Sequence, residues 1–155
     1  MKIELNWSTP FILLDGSSSN MVYALPENNR ISNTSGIYIF YRKYGEAISA
    51  VYIGKADNIS QRVNQQFNNV RLMMAIKNSG AGSKHLIYGQ LKAKQGQNVK
   101  RVIKLLERQF IAFAKLNGHN LVNIHGTKSS FHEVKNSGNL DIRKILSFKM
   151  NIKAK

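Results

Sequence analysis

The sequence has 155 residues, no cysteine and a formal net charge of +15 at pH 7. This length suits one domain, the missing cysteines exclude a disulfide framework and a thiolate zinc site, and no run approaches the ~18 apolar residues that span a bilayer. The surplus of 23 Lys and Arg over 8 Asp and Glu is typical of proteins that bind a polyanion, so we expect nucleic acid and no membrane as partner. A basic surface that only aids solubility is the plainer alternative.

Residues 1–34 are predicted to form an N-terminal cap. Turn-rich clusters at 15–20 and 26–29 interrupt this stretch, and only residues 11–14 have the composition of a short strand. The start lacks the apolar region of a signal segment. We therefore expect a cytoplasmic location, although export by a route that uses no signal is compatible with the sequence.

Two strand-like runs follow the cap. Residues 36–41 and 50–54 are rich in β-branched and aromatic side chains, and the link between them contains Gly45. This pattern predicts an antiparallel hairpin centred on Gly45, which would place Tyr38 directly opposite Tyr52 with their Cβ atoms ~5 Å apart. A register change of two would keep both tyrosines on one face, whereas an odd change would separate them.

The pattern after Gly54 is helical. Asp57 is a suitable N-cap, and Asn68-Asn69 offers a point at which the segment can break into two helices. Apolar residues recur there at steps of three and four, namely Ile59, Val63, Phe67, Val70 and Met74.

A third strand at 85–91 and a long helix at 98–116, ended by Asn117-Gly118, complete the predicted core. The order of the elements predicts a single α/β (α+β) domain over 1–155, with a small sheet flanked by helices. Its core is expected at 35–126, followed by a basic C-terminal extension at 127–155 that has a short helix near 142–148. We expect the tail lysines to follow the backbone of a duplex: Lys128, Lys135, Lys144, Lys149, Lys153 and Lys155.

Glu107 stands out on the long helix. On a helical wheel it lies inside the apolar stripe, whereas the helix's cations lie mostly to its other side. A carboxylate on a core face is costly unless it is paired or bound to a metal ion. Two interpretations are open: a buried structural salt bridge, or a metal ligand in a functional site.

Arg62, Tyr38 and Tyr52 are not decisive individually. A guanidinium fork suits phosphate oxygens, but Arg62 on the edge of its helix can equally be a solvated residue. The two tyrosines can be ordinary strand aromatics.

Together these residues form a recognisable pattern. Gly36-Ile37-Tyr38, then thirteen residues, then Tyr52-Ile53-Gly54, followed by an arginine eight residues later and a glutamate on a later helix, resembles the signature of GIY-YIG nucleases. The closest resemblance is to the nuclease domain of the bacterial excision-repair incision subunit. It covers residues 36–123, with a link between the tripeptides that is slightly long for the family.

The resemblance implies a small three-stranded antiparallel sheet flanked by helices, and hydrolysis of phosphodiester bonds in DNA, most naturally double-stranded. Glu107 would hold one divalent cation, Mg²⁺ or Mn²⁺. Tyr38 would contact or deprotonate the attacking water, with Tyr52 beside it. A phenol with a pKa near ~10 is a poor base at neutral pH, so neighbouring cations are expected to lower that pKa.

The remaining implied roles concern the phosphate and the glutamate. Arg62 would bind the scissile phosphate, and Lys55 would add positive charge nearby. Asn123 matches the family's asparagine that supports the glutamate's end of the site, with Asn120 as the alternative. One active site per chain and the high net charge predict a monomer in solution, with a dimer on DNA as a possibility for concerted cutting of both strands.

One position departs from the family. Four residues after the arginine the family usually has a tyrosine or histidine, but this chain has Gln66, which cannot act as a base. Either that role is dispensable, or His85 or another group supplies it. A catalytically weak or inactive nucleic-acid-binding protein on the same fold is therefore the alternative function, and a basic structural protein of a ribonucleoprotein is a third.

Overall fold

The computed structural model describes residues 1–26, 30–123 and 132–152. The α-helices in these ranges are α1 (Ile59–Phe67), α2 (Val70–Lys77) and α3 (Val99–Leu116). The strands are β1 (Lys2–Trp7), β2 (Phe11–Ile12), β3 (Leu14–Asp15), β4 (Tyr23–Ala24), β5 (Gly36–Tyr44), β6 (Ala47–Ala56), β7 (Ser83–Leu91), β8 (His132–Ser137) and β9 (Lys149–Ile152). No described helix has the length and apolar character needed to cross a bilayer.

The sheet is larger than the sequence predicted. β6, β5, β7, β1, β8 and β9 pair in that order and β2 joins β7, giving a curled seven-stranded sheet, while β3 and β4 form a separate pair. Among the strand pairs of the described residues, β1 with β8 is the parallel one. The predicted small three-stranded antiparallel sheet is therefore wrong. The three expected strands do form the antiparallel run β6-β5-β7, but that run is one part of a wider sheet.

The error arises at the two ends of the chain. In β1 the residues Ile3, Leu5 and Trp7 are almost fully buried and extend the face beneath α3. Alternation of apolar and polar residues indicates a strand, but it does not indicate which strands pair with it. Leu5 pairs with Leu91 and with Asn136. No local pattern reveals partners so far away. The tail forms β8 and β9 around a 3-10 helix at Leu140–Lys144, in place of the predicted helix near 142–148.

Helices cover both faces of the sheet. On one face α3 packs on a cluster that includes Ile39 and Tyr41 of β5. On the other face α1 and α2 pack on a cluster that includes Tyr38 and Phe40 of the same strand. Consecutive residues of a strand point to opposite faces. Tyr38 therefore faces α1, and its neighbours in the sequence face α3.

The pairing of the two motif tyrosines differs from the prediction. Tyr38 lies opposite Gly54, and Phe40 lies opposite Tyr52, so direct pairing of Tyr38 with Tyr52 is wrong. The register differs by two residues, and the tyrosines consequently share a face. Their rings stack with centroids 6.0 Å apart.

Two local features account for that register. The turn occupies Gly45 and Glu46 between the paired residues Tyr44 and Ala47, rather than Gly45 alone. A β-bulge then leaves Val51 as an extra residue on β6. Each feature moves the register by one residue, and together they restore the alternation that puts both tyrosines beneath α1.

The helical segment breaks at Asn68-Asn69, as the sequence allowed. Asn69 caps α2 by accepting the Leu72 N–H at 3.1 Å. This break resets the rotational phase of the chain, so Val70 and Met74, predicted on the apolar stripe, are exposed. The predicted cap at Asp57 is also wrong, because the adjacent Asn58 caps α1 by accepting the N–H of Gln61 at 3.0 Å.

Candidate active site

A cleft of about 360 Å³ opens where β5, β6, α1 and α3 meet. Five of the six predicted site residues line it. β5 supplies Tyr38, β6 supplies Tyr52 and Lys55, α1 supplies Arg62, and α3 supplies Glu107. The fold thus brings together side chains that the sequence distributes over four separate elements.

Gln66 holds the hydroxyls of the tyrosine pair. Its Nε2 donates to Tyr38 Oη at 2.7 Å and to Tyr52 Oη at 3.4 Å, and its Oε1 accepts from Asn69 Nδ2 at 3.4 Å. The contact with Asn69 favours the orientation in which the amide nitrogen faces the tyrosines. Tyr38 Oη therefore accepts a hydrogen bond from Gln66, and its own hydrogen can be donated to another acceptor. Gln66 is only 5% exposed, so this arrangement lies in the protein interior.

The glycines of the two motif tripeptides are needed for close packing. A Cβ on Gly54 would overlap the Tyr38 ring and hydroxyl, and a Cβ on Gly36 would overlap the backbone carbonyl of Gly89. Only glycine permits such approaches. Gly54 therefore lets the Tyr38 phenol pack directly against β6, and Gly36 lets β5 approach β7.

Burial raises the pKa of Tyr38 well above its ordinary value, and the neighbouring Tyr52 raises it further. Hydrogen bonds from Gln66 and Arg62 lower this pKa, but their effect is smaller. Without a bound metal ion, the expected lowering of the Tyr38 pKa by neighbouring cations does not prevail, because the desolvation of a phenol that is 1% exposed is the larger effect. In this environment Tyr38 is a neutral phenol at pH 7.

Arg62 and Lys55 are exposed on the rim of the cleft. Arg62 Nη1 donates to Gln65 Oε1 at 3.3 Å, and neither cation forms an ion pair with a carboxylate in the described part of the chain. Their charges are thus available to an anionic ligand.

The polar face of α1 also lines the cleft, which the sequence interpretation did not use. Asn58, Gln61, Arg62 and Gln65 follow one another at helical steps of three and one. A helical wheel of 58–67 would have placed these amides on the same side as Arg62.

Glu107 is half-buried on α3 and lines the cleft. Among residues 1–26, 30–123 and 132–152 it has neither an ion pair nor a side-chain hydrogen bond. Of the two interpretations left open by the sequence, a structural salt bridge thus has no partner in the described chain. A carboxylate held in this way on an apolar helix face calls for a cationic ligand.

The other described carboxylates sharpen this observation. Outside the cleft each has a partner within the chain: Glu4 with Lys92 at 3.2 Å, Glu46 with Lys144 at 3.6 Å, Asp141 with Lys43 at 3.6 Å, and Asp15 with the Ser17 N–H and hydroxyl at 3.0 Å. Among the carboxylates whose side chains the structure describes, a set that leaves out Glu27 and Glu133, the two without such partners are Glu107 and Asp57, and both line the cleft.

These donors fit a hard divalent cation. Mg²⁺ prefers carboxylate oxygens, keeps several of its waters and needs only one or two protein carboxylates. No cluster of three or more His, Cys, Asp or Glu side chains occurs in the described residues. A single carboxylate such as Glu107 is a donor set that a hydrated cation of this kind accepts.

Asn123, the sixth predicted residue, lies outside the cleft lining. Its Nδ2 donates to the Ile53 carbonyl at 2.6 Å, and its Oδ1 accepts the Ile53 N–H at 3.2 Å. Just before it, the Val122 N–H donates to the Val51 carbonyl at 2.8 Å. The segment that contains Asn123 thus satisfies the free backbone edge of β6, which carries Tyr52. Asn120, the alternative, is exposed.

His85 does not replace the missing histidine. It pairs with Tyr41 across β7 and β5, and its ring stacks on the Tyr41 ring with centroids 5.1 Å apart. Tyr41 and Tyr38 lie on opposite faces of the sheet, so the suggestion that His85 supplies a base near Tyr38 is wrong. Gln66 contacts both tyrosine hydroxyls from the position at which the family usually has a tyrosine or histidine.

Protein-family models, curated proteins and solved structures give no match to this chain. These comparisons therefore assign the chain to no family.

Proposed function

We propose that this chain is an endonuclease of the GIY-YIG kind, which hydrolyses phosphodiester bonds of DNA with one divalent metal ion. The observation that carries this proposal is the cleft, where the unpaired Glu107 faces the same space as Arg62, Lys55 and the stacked pair Tyr38 and Tyr52. A carboxylate for a metal ion and two cations for a phosphate are what phosphodiester hydrolysis requires of a protein.

Glu107 would hold the cation, Mg²⁺ or Mn²⁺, which when bound supplies Lewis acidity that stabilises negative charge on the phosphate oxygens. Arg62 and Lys55 would bind the nonbridging oxygens, because a guanidinium fork and an ammonium both donate to them. Both side chains reach the cleft from the solvent side. A strand of DNA can therefore meet them without rearrangement of the core.

Tyr38 would orient the attacking water as a neutral hydrogen-bonding group. Gln66 donates to its oxygen, so the phenol hydrogen can be directed at the water or at a phosphate oxygen. Its raised pKa makes this role fit better than that of a general base at neutral pH. Gln66 thus acts as a positioning residue, which explains why the site can function without the histidine or tyrosine usual at that place.

Cleavage of supercoiled plasmid tests the proposal directly. With Mg²⁺ or Mn²⁺ we expect open circles first and linear DNA only later, because one cleft cuts one strand per encounter. With a chelator in place of the metal we expect no product. Sedimentation of the free protein should show a monomer. Intact plasmid in both metals, at protein concentrations that bind it fully, would refute the nuclease.

A nucleic-acid-binding protein without catalysis is the second candidate. The observation that favours it is the tyrosine pair itself, whose hydroxyls contact Gln66, a residue that cannot exchange a proton at neutral pH. This candidate predicts salt-dependent binding of DNA with no cleavage in any metal. The plasmid assay therefore separates the two functions, whereas a binding assay alone does not.

A further inference from the structure

The outward side of α3 carries a line of cations next to the cleft. Arg101, Lys104, Arg108 and Lys115 occur at steps of three, four and seven residues, which places them on one side of the helix. Lys104 and Arg108 flank Glu107 in the sequence. The stripe formed by these four cations therefore runs along the helix past Glu107.

These four charges are not neutralised within the described chain. The described ion pairs engage Lys43, Lys92 and Lys144, and the described cation–ring contacts engage Lys135 and Arg143 over Phe148. Three of the four stripe residues are exposed and Arg108 is half-buried. Among the tail lysines expected on DNA, Lys128, Lys153 and Lys155 lie outside the described residues.

We propose that this stripe binds the phosphate backbone of double-stranded DNA on one side of the cut site. From Arg101 to Lys115 the helix rises by about 21 Å at 1.5 Å per residue. Successive phosphates of one strand are ~3.4 Å apart along the axis, so the stripe spans about six of them. Because it supplies the flanking contacts for the substrate of the cleft, this role rests on the proposed nuclease function.

The composition of the stripe favours a duplex over a single strand. Surfaces that bind single strands stack the bases on exposed aromatic rings. The aromatic residues of α3 face inward, since Phe110 is buried and Phe113 packs on the core. The outward side therefore offers charge for the backbone and no ring for an unpaired base.

Salt-dependent binding, measured in chelator so that no metal-dependent cleavage occurs, tests this role. The variant K104Q/R108Q/K115Q removes three stripe cations and keeps residues of good helix propensity. For a fluorescent duplex, its slope of log affinity against log salt should be shallower than that of the unmodified protein by about 2 to 3, because each lost phosphate contact contributes ~0.9. The unmodified protein should also bind the duplex more tightly than the single strand of the same sequence.

K43Q/K77Q/K92Q is the matched control, since it removes the same charge from lysines outside the stripe, of which Lys43 and Lys92 are salt-bridged and Lys77 is exposed on α2. Its slope should change by less than one. Equal changes in the two triple variants, or equal affinity for duplex and single strand, would overturn the stripe. A shallower slope in the stripe variant of a protein that cuts no plasmid would support the stripe and refute the nuclease. Plasmid cleavage by the unmodified protein, together with an unchanged slope in the stripe variant, would support the nuclease and refute the stripe.

Discussion

The cleft and the polar network beneath the C-terminal strands use the same kinds of residue in opposite ways. In the network, the Tyr41 hydroxyl donates to Asp141 at 3.2 Å, and the buried Asn136 joins the Trp7 indole to the Ser147 carbonyl. In the cleft, Tyr38 accepts from Gln66, and Glu107 has no partner among the described residues.

That difference separates residues that stabilise the fold from residues available to a ligand. Burial raises the pKa of both Tyr38 and Tyr41, so burial alone does not identify the functional one. What distinguishes the two regions is whether hydrogen-bonding capacity is used up inside the chain. Substitutions in the network should therefore cost stability, and substitutions in the cleft should cost rate.

The largest effect is expected for Glu107→Gln. Loss of the negative charge should weaken metal binding and reduce plasmid cleavage by roughly 1000-fold or more, since metal stabilisation is worth several kcal/mol. Stability should stay the same or rise, because no described partner is lost. The matched control is Glu46→Gln, an exposed carboxylate paired with Lys144. Cleavage by Glu107→Gln at the rate of that control would remove Glu107 from the metal site.

Next in size are Arg62→Ala and Tyr38→Phe. Each should reduce turnover by at least ~100-fold with little change in DNA binding, because each acts mainly on the transition state. Arg71→Ala on α2 and Tyr41→Phe in the network are the matched controls and should leave turnover unchanged. Single-turnover kinetics with a binding titration separate the two quantities. Weaker binding with normal turnover would assign Arg62 and Tyr38 to substrate positioning alone.

Asn136→Ala tests the polar network beneath the C-terminal strands. The substitution leaves the Trp7 indole N–H and the Ser147 carbonyl without their partner in the interior, and we expect a loss of about 2 to 4 kcal/mol in the free energy of unfolding. Asn6→Ala, at an exposed position of β1, should cost under ~0.5 kcal/mol. Urea unfolding measures both. Turnover per folded molecule should not change, and a loss of turnover comparable to that of Arg62→Ala would contradict the division of roles.

The smallest effect concerns His119, whose Nδ1 accepts the Ala50 N–H at 3.0 Å on the edge of β6. Burial lowers the pKa of His119, so the unfolded chain binds the proton more readily than the folded chain. The stability that neutral His119 contributes is present above the unfolded pKa, near ~6.5, and is lost as the pH falls through the folded pKa.

Urea unfolding at neutral and at mildly acidic pH should therefore show a drop for the unmodified protein and a smaller one for His119→Asn. Burial also lowers the pKa of His85, so both proteins are best compared in a His85→Asn background. An identical pH dependence with and without His119 would show that its contact with β6 does not depend on protonation.

Local patterns in the sequence determined much of the site. The apolar periodicity and the stop at Asn117-Gly118 predicted the long helix to within a residue of α3. The two strand-like runs and the link that contains Gly45 predicted β5 paired with β6. The candidate residues and their roles followed from the resemblance to the GIY-YIG signature, whereas helical and strand periodicities state only which side chains share a face. The sequence also identified Glu107 by its place on the apolar stripe.

Tertiary structure alone decided the rest. The incorporation of β1, β8 and β9 into the sheet depends on pairings between the two ends of the chain, which leave no local trace because strand pairing is set by packing. The pKa of Tyr38 depends on how deeply α1 buries its ring. Whether Glu107 has an ion-pair partner depends on which cations the fold places near it. Periodicity states which face a residue occupies, whereas burial and partners are properties of the assembled chain.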